Sequence, residues 1–270
     1  MSINNILVQL DQSERTANRL QFALLIARQH NARLVGLFAQ RGQAKRVGVV
    51  STWPPEEYTT ARDASRDAFM TAAKGLEGAE WHDVNRGADD ELIVHVANFA
   101  RHFDMVILGQ KDVRGDSCVP DDLVEDVLNS CGRPVLIFPY TGNFETVGKS
   151  PLIAWNNTRE AARALNDSLP LIYGCDQAMV LSFATKLEQG QESCAAVSRH
   201  LQTHKVKTRT EIILVDNFGI MDLLLNRVSD QGADLLVMGA HGQNGLHIGN
   251  HGNGTRYILQ HMTVPVLMSN

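Results

Sequence analysis

The chain has 270 residues, 44% hydrophobic and 20% charged, with a formal net charge of −5. This is the balance of a globular protein with room for one large domain or two of ordinary size. No long basic run is present, which excludes the electrostatic footprint of a nucleic-acid binder. No stretch approaches 18 consecutive apolar residues, which argues against a membrane-spanning helix.

The opening residues, MSINNILVQLDQS, lack a basic segment followed by a long apolar one, so no secretory signal is expected and a cytoplasmic setting is. Cys118, Cys131, Cys175 and Cys194 form no C-x-x-C pair and read as reduced thiols.

The apolar run 5–10, NILVQL, predicts a first strand, followed by Asp11-Gln12-Ser13 and a helical pattern over 13–30. Ser13 is the expected N-cap, its hydroxyl accepting a free backbone N–H. A strand over 33–38 comes next, then a loop over 39–59 marked by Pro54-Pro55. A helix over 60–75 carries Ala61, Ala64, Ala68, Phe69 and Ala72 and reads as a cover on the sheet. Strand 80–85, helix 89–102, strand 104–108, helix 120–130 and strand 134–138 complete this half. The polar, glycine-containing segment 141–150 reads as a linker.

A second round then begins. Residues 151–155, PLIAW, predict a strand, followed by Asn156-Asn157-Thr158 and a helix over 158–169 with Thr158 as its N-cap. Strand 177–183, helix 189–203, strand 206–214, helix 218–231, strand 234–238, helix 254–261 and strand 264–268 follow. The halves match at both ends. Asp11 and Asn156 are offset by 145 residues, and the strands DMVILG and DLLVMG, ending at Gly109 and Gly239, by 130. The surplus falls in the loop 39–59. Strands alternating with helices imply parallel sheets covered on both faces, an α/β fold.

Residues 239–255 carry the clearest chemistry. Gly239, Gly242, Gly245, Gly249, Gly252 and Gly254 fall between the end of a buried strand and the start of a helix. Glycine lets the backbone approach an anion closely, and a helix N-terminus presents free N–H groups to it. In open α/β sheets ligands sit at the carboxyl ends of the strands, where this loop lies.

The spacing Gly239-x2-Gly242-x9-Gly252, followed by the strand TVPVLM, resembles the nucleotide loop and closing strand of the universal stress protein family. The likeness covers both halves. It implies two tandem Rossmann-like five-stranded domains of the adenine nucleotide alpha hydrolase-like kind, residues 1–140 and 150–270. Their closing strands, 134–138 and 264–268, would lie side by side as an internal pseudo-dimer.

The resemblance also implies an adenine nucleotide, ATP foremost, with or without Mg, held by the second half as a sensor or switch and not needed for folding. Asn156 would stand where the family places an Asp toward the adenosine. Phe183 would lie against the adenine through its backbone. Gly239, His241, Gly242, Gly252, Asn253, Gly254 and Thr255 would surround the phosphates and ribose. Two positions depart from the pattern. Asn253 replaces the Ser or Thr after the third glycine, and Asn156 lacks the acid's charge.

The first half departs further. Asp112 takes the place of the second glycine, and Asp121, Asp122, Glu125 and Asp126 surround the following helix start, where they would repel phosphate. That half reads as a degenerate copy kept for packing and pairing. His241, His247 and His251 raise the option of a metal, set against a polar loop at no known metal spacing. There is no G-x-S-x-G elbow and no G-x4-G-K-[S/T] loop, so no catalytic residue is expected and any ATPase activity would be slow. The rival reading is a structural or protein-interaction module without a nucleotide. A protein partner and a homodimer remain open in either case.

Overall fold

The structure is a computed structural model and describes residues 2–42, 45–47, 50–52, 54–84, 89–112, 118–214, 219–240 and 254–270. Contacts divide it into two compact units, Ser2–Arg133 and Pro134–Asn270.

The first unit contains β1 (Asn5–Leu10), α1 (Thr16–His30), β2 (Arg33–Phe38), β3 (Lys45–Val47), β4 (Val50–Thr52), α2 (Glu56–Ala72), β5 (Glu80–Asp83), α3 (Asp89–Ala100), β6 (Met105–Gly109) and α4 (Leu123–Ser130). Its parallel strands run in the order β6-β1-β2-β5. Leu7, Val8, Val106 and Ile107 are wholly buried, as strands covered on both faces require.

The loop expected over 39–59 is not bare. β3 and β4 form a short antiparallel pair within it, and α2 begins at Glu56 rather than 60, with Pro55 at its N-cap. Proline suits that position because it lacks the N–H that would go unpaired there. Ser13 is not a helix cap. α1 starts three residues later, at Thr16, because the Asp11 carboxylate draws both the Ser13 N–H (2.8 Å) and the Thr16 hydroxyl (2.5 Å) into a local turn.

The second unit contains β7 (Val135–Phe138), β8 (Pro151–Trp155), α5 (Arg159–Ile172), β9 (Ala178–Ala184), α6 (Leu187–Thr203), β10 (Thr208–Leu214), α7 (Ile220–Asp230), β11 (Leu235–Gly239), α8 (Gly254–His261) and β12 (Val266–Ser269). Five strands run parallel in the order β10-β9-β8-β11-β12. β7 joins antiparallel to β12, with Val266 opposite Ile137 and Met268 opposite Val135. The two closing strands therefore do lie side by side, and this pairing is why β7 groups with the second unit.

The repeat extends to a device not read from the sequence. The Asp104 carboxylate accepts the N–H groups of Asn4 (2.8 Å) and Asn5 (3.0 Å), at the entry to β1. Asp234, 130 residues on, accepts those of Lys149 (3.0 Å) and Ser150 (2.9 Å), at the entry to β8, and the Thr146 hydroxyl (2.9 Å). The linker 141–150 is therefore fastened at its end by an aspartate that opens β11. Among the described residues no helix is long and apolar enough to cross a membrane.

Candidate functional site

In each unit the chain builds outward from one central strand and then crosses to that strand's other side. In the second unit it passes from β8 to β9 and β10, then returns to β11 on the opposite flank of β8. The switch point lies at the carboxyl ends of β8 and β11, where an open α/β sheet leaves a crevice for a ligand.

Asn156 follows β8 directly. Its side-chain oxygen accepts the Thr158 hydroxyl (2.9 Å) and the Thr158 N–H (3.4 Å), and Asn157 takes a left-handed φ of 57° that asparagine tolerates. Thr158 in turn accepts the Ala161 N–H (3.3 Å), the N-cap expected of it. Asn156 is thus held by the turn that starts α5.

Gly239 ends β11 and packs on that same first turn. A Cβ there would lie 2.5 Å from the Ala161 nitrogen and 2.6 Å from the Glu160 carbonyl carbon, both backbone atoms. Only glycine permits this approach. Phe183 is the penultimate residue of β9, the strand on the other side of β8. Gly254 and Thr255 begin α8, with Thr255 buried. The structure therefore brings Asn156, Phe183 and Gly239 to neighbouring strand ends and sets Gly254 and Thr255 at a helix N-terminus. His241, Gly242, Gly252 and Asn253 lie outside the described residues.

Glu160 escaped the sequence reading. It is buried beside Gly239 with only 4% of its surface exposed, and Arg159 bonds its carboxylate. That hydrogen bond holds its carboxyl below the usual range. An acid in the first turn of a helix is common enough that nothing in the sequence marked this one. Trp155 donates its indole N–H to the Ser193 hydroxyl of α6 (2.8 Å).

The equivalent place in the first unit is full. Arg19 is buried in α1 and donates to the Gln9 carbonyl (2.8 Å), the Asp11 carboxylate (2.7 Å) and the Thr16 hydroxyl (3.0 Å). A Cβ on Gly109 would lie only 2.0 Å from its Nη1, so the guanidinium covers the end of β6 at the switch point. Burial disfavours charge on Asp11, but Arg19 and the hydrogen bonds from Ser13, Thr16 and Gln9 outweigh it, and the carboxyl stays well below its usual range. By the offset that relates Asp11 to Asn156, Arg19 corresponds to Ala164, which carries no polar group and is wholly buried.

The helix starts differ in the same sense. α4 carries Glu125 and Asp126 in its first turn, whereas α8 has no acid there. Arg41 pairs with Asp89 (2.7 Å), and Lys111 with Asp121 (2.9 Å), so these cations of the first unit are engaged by acids. All four cysteines are free, and the described residues hold no cluster of His, Cys, Asp and Glu that could bind a metal.

Comparison with known proteins follows this division. Residues 156–270 match the model of the universal stress protein family. Among solved structures, a universal stress protein from Archaeoglobus fulgidus DSM 4304 superimposes with a TM-score of 0.73 at 15% identity, covering 100% of this chain and 97% of that one. A functionally unknown protein from Pseudomonas aeruginosa PAO1 gives 0.63 at 17% identity, covering 99% and 92%. A universal stress protein in complex with cAMP matches 52% of this chain and 100% of its own, at 18% identity and a TM-score of 0.36. No curated protein matches the sequence.

The protein is thus of the Rossmann-like α/β class, with a switch point in each strand order. Residues 156–270 match the universal stress protein family, and the chain as a whole has the fold of the solved universal stress protein from Archaeoglobus fulgidus.

Proposed function

We propose that the second copy, residues 150–270, binds an adenine nucleotide, ATP foremost, at the carboxyl ends of β8, β9 and β11, and that the first copy, residues 1–140, is degenerate. The observation that carries this reading is the contrast between the two switch points. The guanidinium of Arg19 fills the first, whereas the apolar Ala164 holds the matching position in the second. An α8 that begins at Gly254 without a first-turn acid supports an anion at its N-terminus. Asn156 would serve the adenosine, and the glycine loop with His241, Gly242, Gly252 and Asn253 would close over the phosphates, Mg among them when it is bound.

The nucleotide acts here as a sensor or switch. Binding only the folded state raises stability by mass action, about 2.7 kcal/mol at a hundredfold excess over Kd. A cytoplasmic setting, where thiols stay reduced, suits four free cysteines. One observation favours the rival interaction module: the buried Glu160 beside Gly239 would oppose a phosphate if Arg159 released it.

The test is a thermal shift with ATP, ADP, AMP and cAMP, with and without magnesium, and mass spectrometry of any nucleotide that co-purifies. cAMP joins the panel because a half-length relative was solved with it. The expected result is an upward shift at one nucleotide per chain, lost in Gly242→Val with the fold intact. No shift with any nucleotide sinks the reading and leaves the interaction module.

A further inference from the structure

His200 and His204 stand four residues apart at the end of α6, a spacing that sets two side chains on one side of a helix. Their rings meet edge-on, with centroids 4.9 Å apart. A histidine pair at this spacing can offer both imidazoles to one metal ion. α5 supplies a third group. Asn166 Nδ2 donates to the Ala162 carbonyl (2.7 Å), so its Oδ1 is the atom that faces His200 Nε2, at 3.1 Å. We propose that His200, His204 and Asn166 Oδ1 bind one divalent late transition-metal ion, of the Ni²⁺ or Cu²⁺ kind.

The spacing of the donors suits such an ion. Two ligand atoms each about 2.1 Å from a metal, and at right angles about it, lie about 3.0 Å apart. His200 Nε2 and Asn166 Oδ1 already stand at that separation. The ion takes the place of the proton now shared between them, and His200 carries its N–H on Nδ1 instead. His200 and Asn166 are half-buried and His204 is exposed, so water can complete the coordination. Pro170 lies inside α5 and has no N–H to give to the Asn166 carbonyl, four residues before it. Asn166 therefore offers a second oxygen that receives no hydrogen bond from that position.

The donor set selects the metal. Among the described residues no three His, Cys, Asp or Glu side chains gather for a metal, so this set is two ring nitrogens and one amide oxygen, open to water. Nitrogen and oxygen donors in a tetragonal arrangement suit Cu²⁺ and Ni²⁺, whereas Mg²⁺ calls for oxygen ligands. An ion held here joins α5 to α6 and stabilises the second unit by mass action. β10 begins four residues past His204, so the site lies toward the amino ends of the strands. The candidate nucleotide site is at their carboxyl ends, and the two are independent.

The full-length protein can be titrated calorimetrically with Ni²⁺ at about pH 7.5, where an ordinary imidazole is neutral. The wild type is compared with His200→Ala, His204→Ala, the double variant and Asn166→Asp. The other histidines are common to all five proteins, so differences between them report this site. Either single alanine change should weaken one equivalent of binding at least tenfold, and the double variant should lose that same single equivalent, because two imidazoles on one ion act as a unit. Asn166→Asp should tighten the same equivalent at least tenfold, since a carboxylate replaces a neutral oxygen. That gain cannot come from damage to the fold, and His204 is exposed, so its removal leaves the packing intact. Binding unaltered in His204→Ala, losses that belong to two separate equivalents, or no gain in Asn166→Asp overturns the proposal.

Discussion

Arg19 Nη2 lies 2.7 Å from Asp11 Oδ2, and the two side chains keep only 3% and 5% of their surface in solvent. This buried pair occupies the first unit's switch point, and the protein supplies its own cation where the second unit carries the apolar Ala164. Either partner alone would be an uncompensated buried charge. Arg19→Ala or Asp11→Leu should therefore destabilise the first unit by about 3–5 kcal/mol. The double variant Asp11→Leu with Arg19→Met should recover most of that loss. A double-mutant cycle by urea unfolding gives the coupling directly.

The same pair sets an acid limit. The folded-state pKa of Asp11 is depressed, so its contribution is fully present above the unfolded value of about 3.9 and is lost as the pH falls through the folded value. Unfolding of the wild type below pH 4 should show this dependence. Asp11→Asn should flatten it while lowering stability at neutral pH. Parallel pH profiles for the two proteins would contradict the assignment.

Cys118 should be slow to alkylate. Burial, and then the Asp11 carboxylate, push its thiol up to about 11. At pH 8 this leaves about one thiolate in a thousand, against roughly a quarter for an ordinary cysteine. Iodoacetamide labelling followed by peptide mass spectrometry should find Cys118 slower than a free thiol by a factor on the order of 200. Arg19→Ala should not speed it, because losing that cation leaves the negative Asp11 unscreened beside the sulfur.

Gly239→Ala should destabilise the second unit by about 1–3 kcal/mol, since its Cβ would press on the backbone of Glu160 and Ala161, which cannot swing aside. Gly232→Ala is the control: nothing lies within 4 Å of a Cβ there, so only the strain of its φ of 57° remains. The Tm of the two variants checks the order.

Thr158→Ala removes the acceptor for the Ala161 N–H and should lower stability by about 1 kcal/mol. It also frees Asn156 Oδ1 from the hydroxyl that holds it. If Asn156 serves the nucleotide, Thr158→Ala should weaken nucleotide binding more than Ser13→Ala, whose residue caps no helix.

Much of this was legible in advance because it is local. Apolar runs of five or six residues, punctuated by turn residues and spaced helices, set the α/β alternation, and DMVILG and DLLVMG set the repeat. Thr158 could be read as a cap from its place alone, yet Ser13, in a matching place, is not one. A side chain six residues further on decides the difference, since Arg19 and Thr16 converge on Asp11 and rebuild the turn.

The sequence by itself determined the two α/β copies and the candidate glycine loop, because patterning and backbone preference act over a few residues. Only the tertiary structure decided that the closing strands meet antiparallel, that Arg19 closes one switch point while Ala164 leaves its counterpart apolar, and that Glu160 lies buried beside Gly239. Each depends on which side chains distant strands and helices bring to the same place, and no local pattern encodes that.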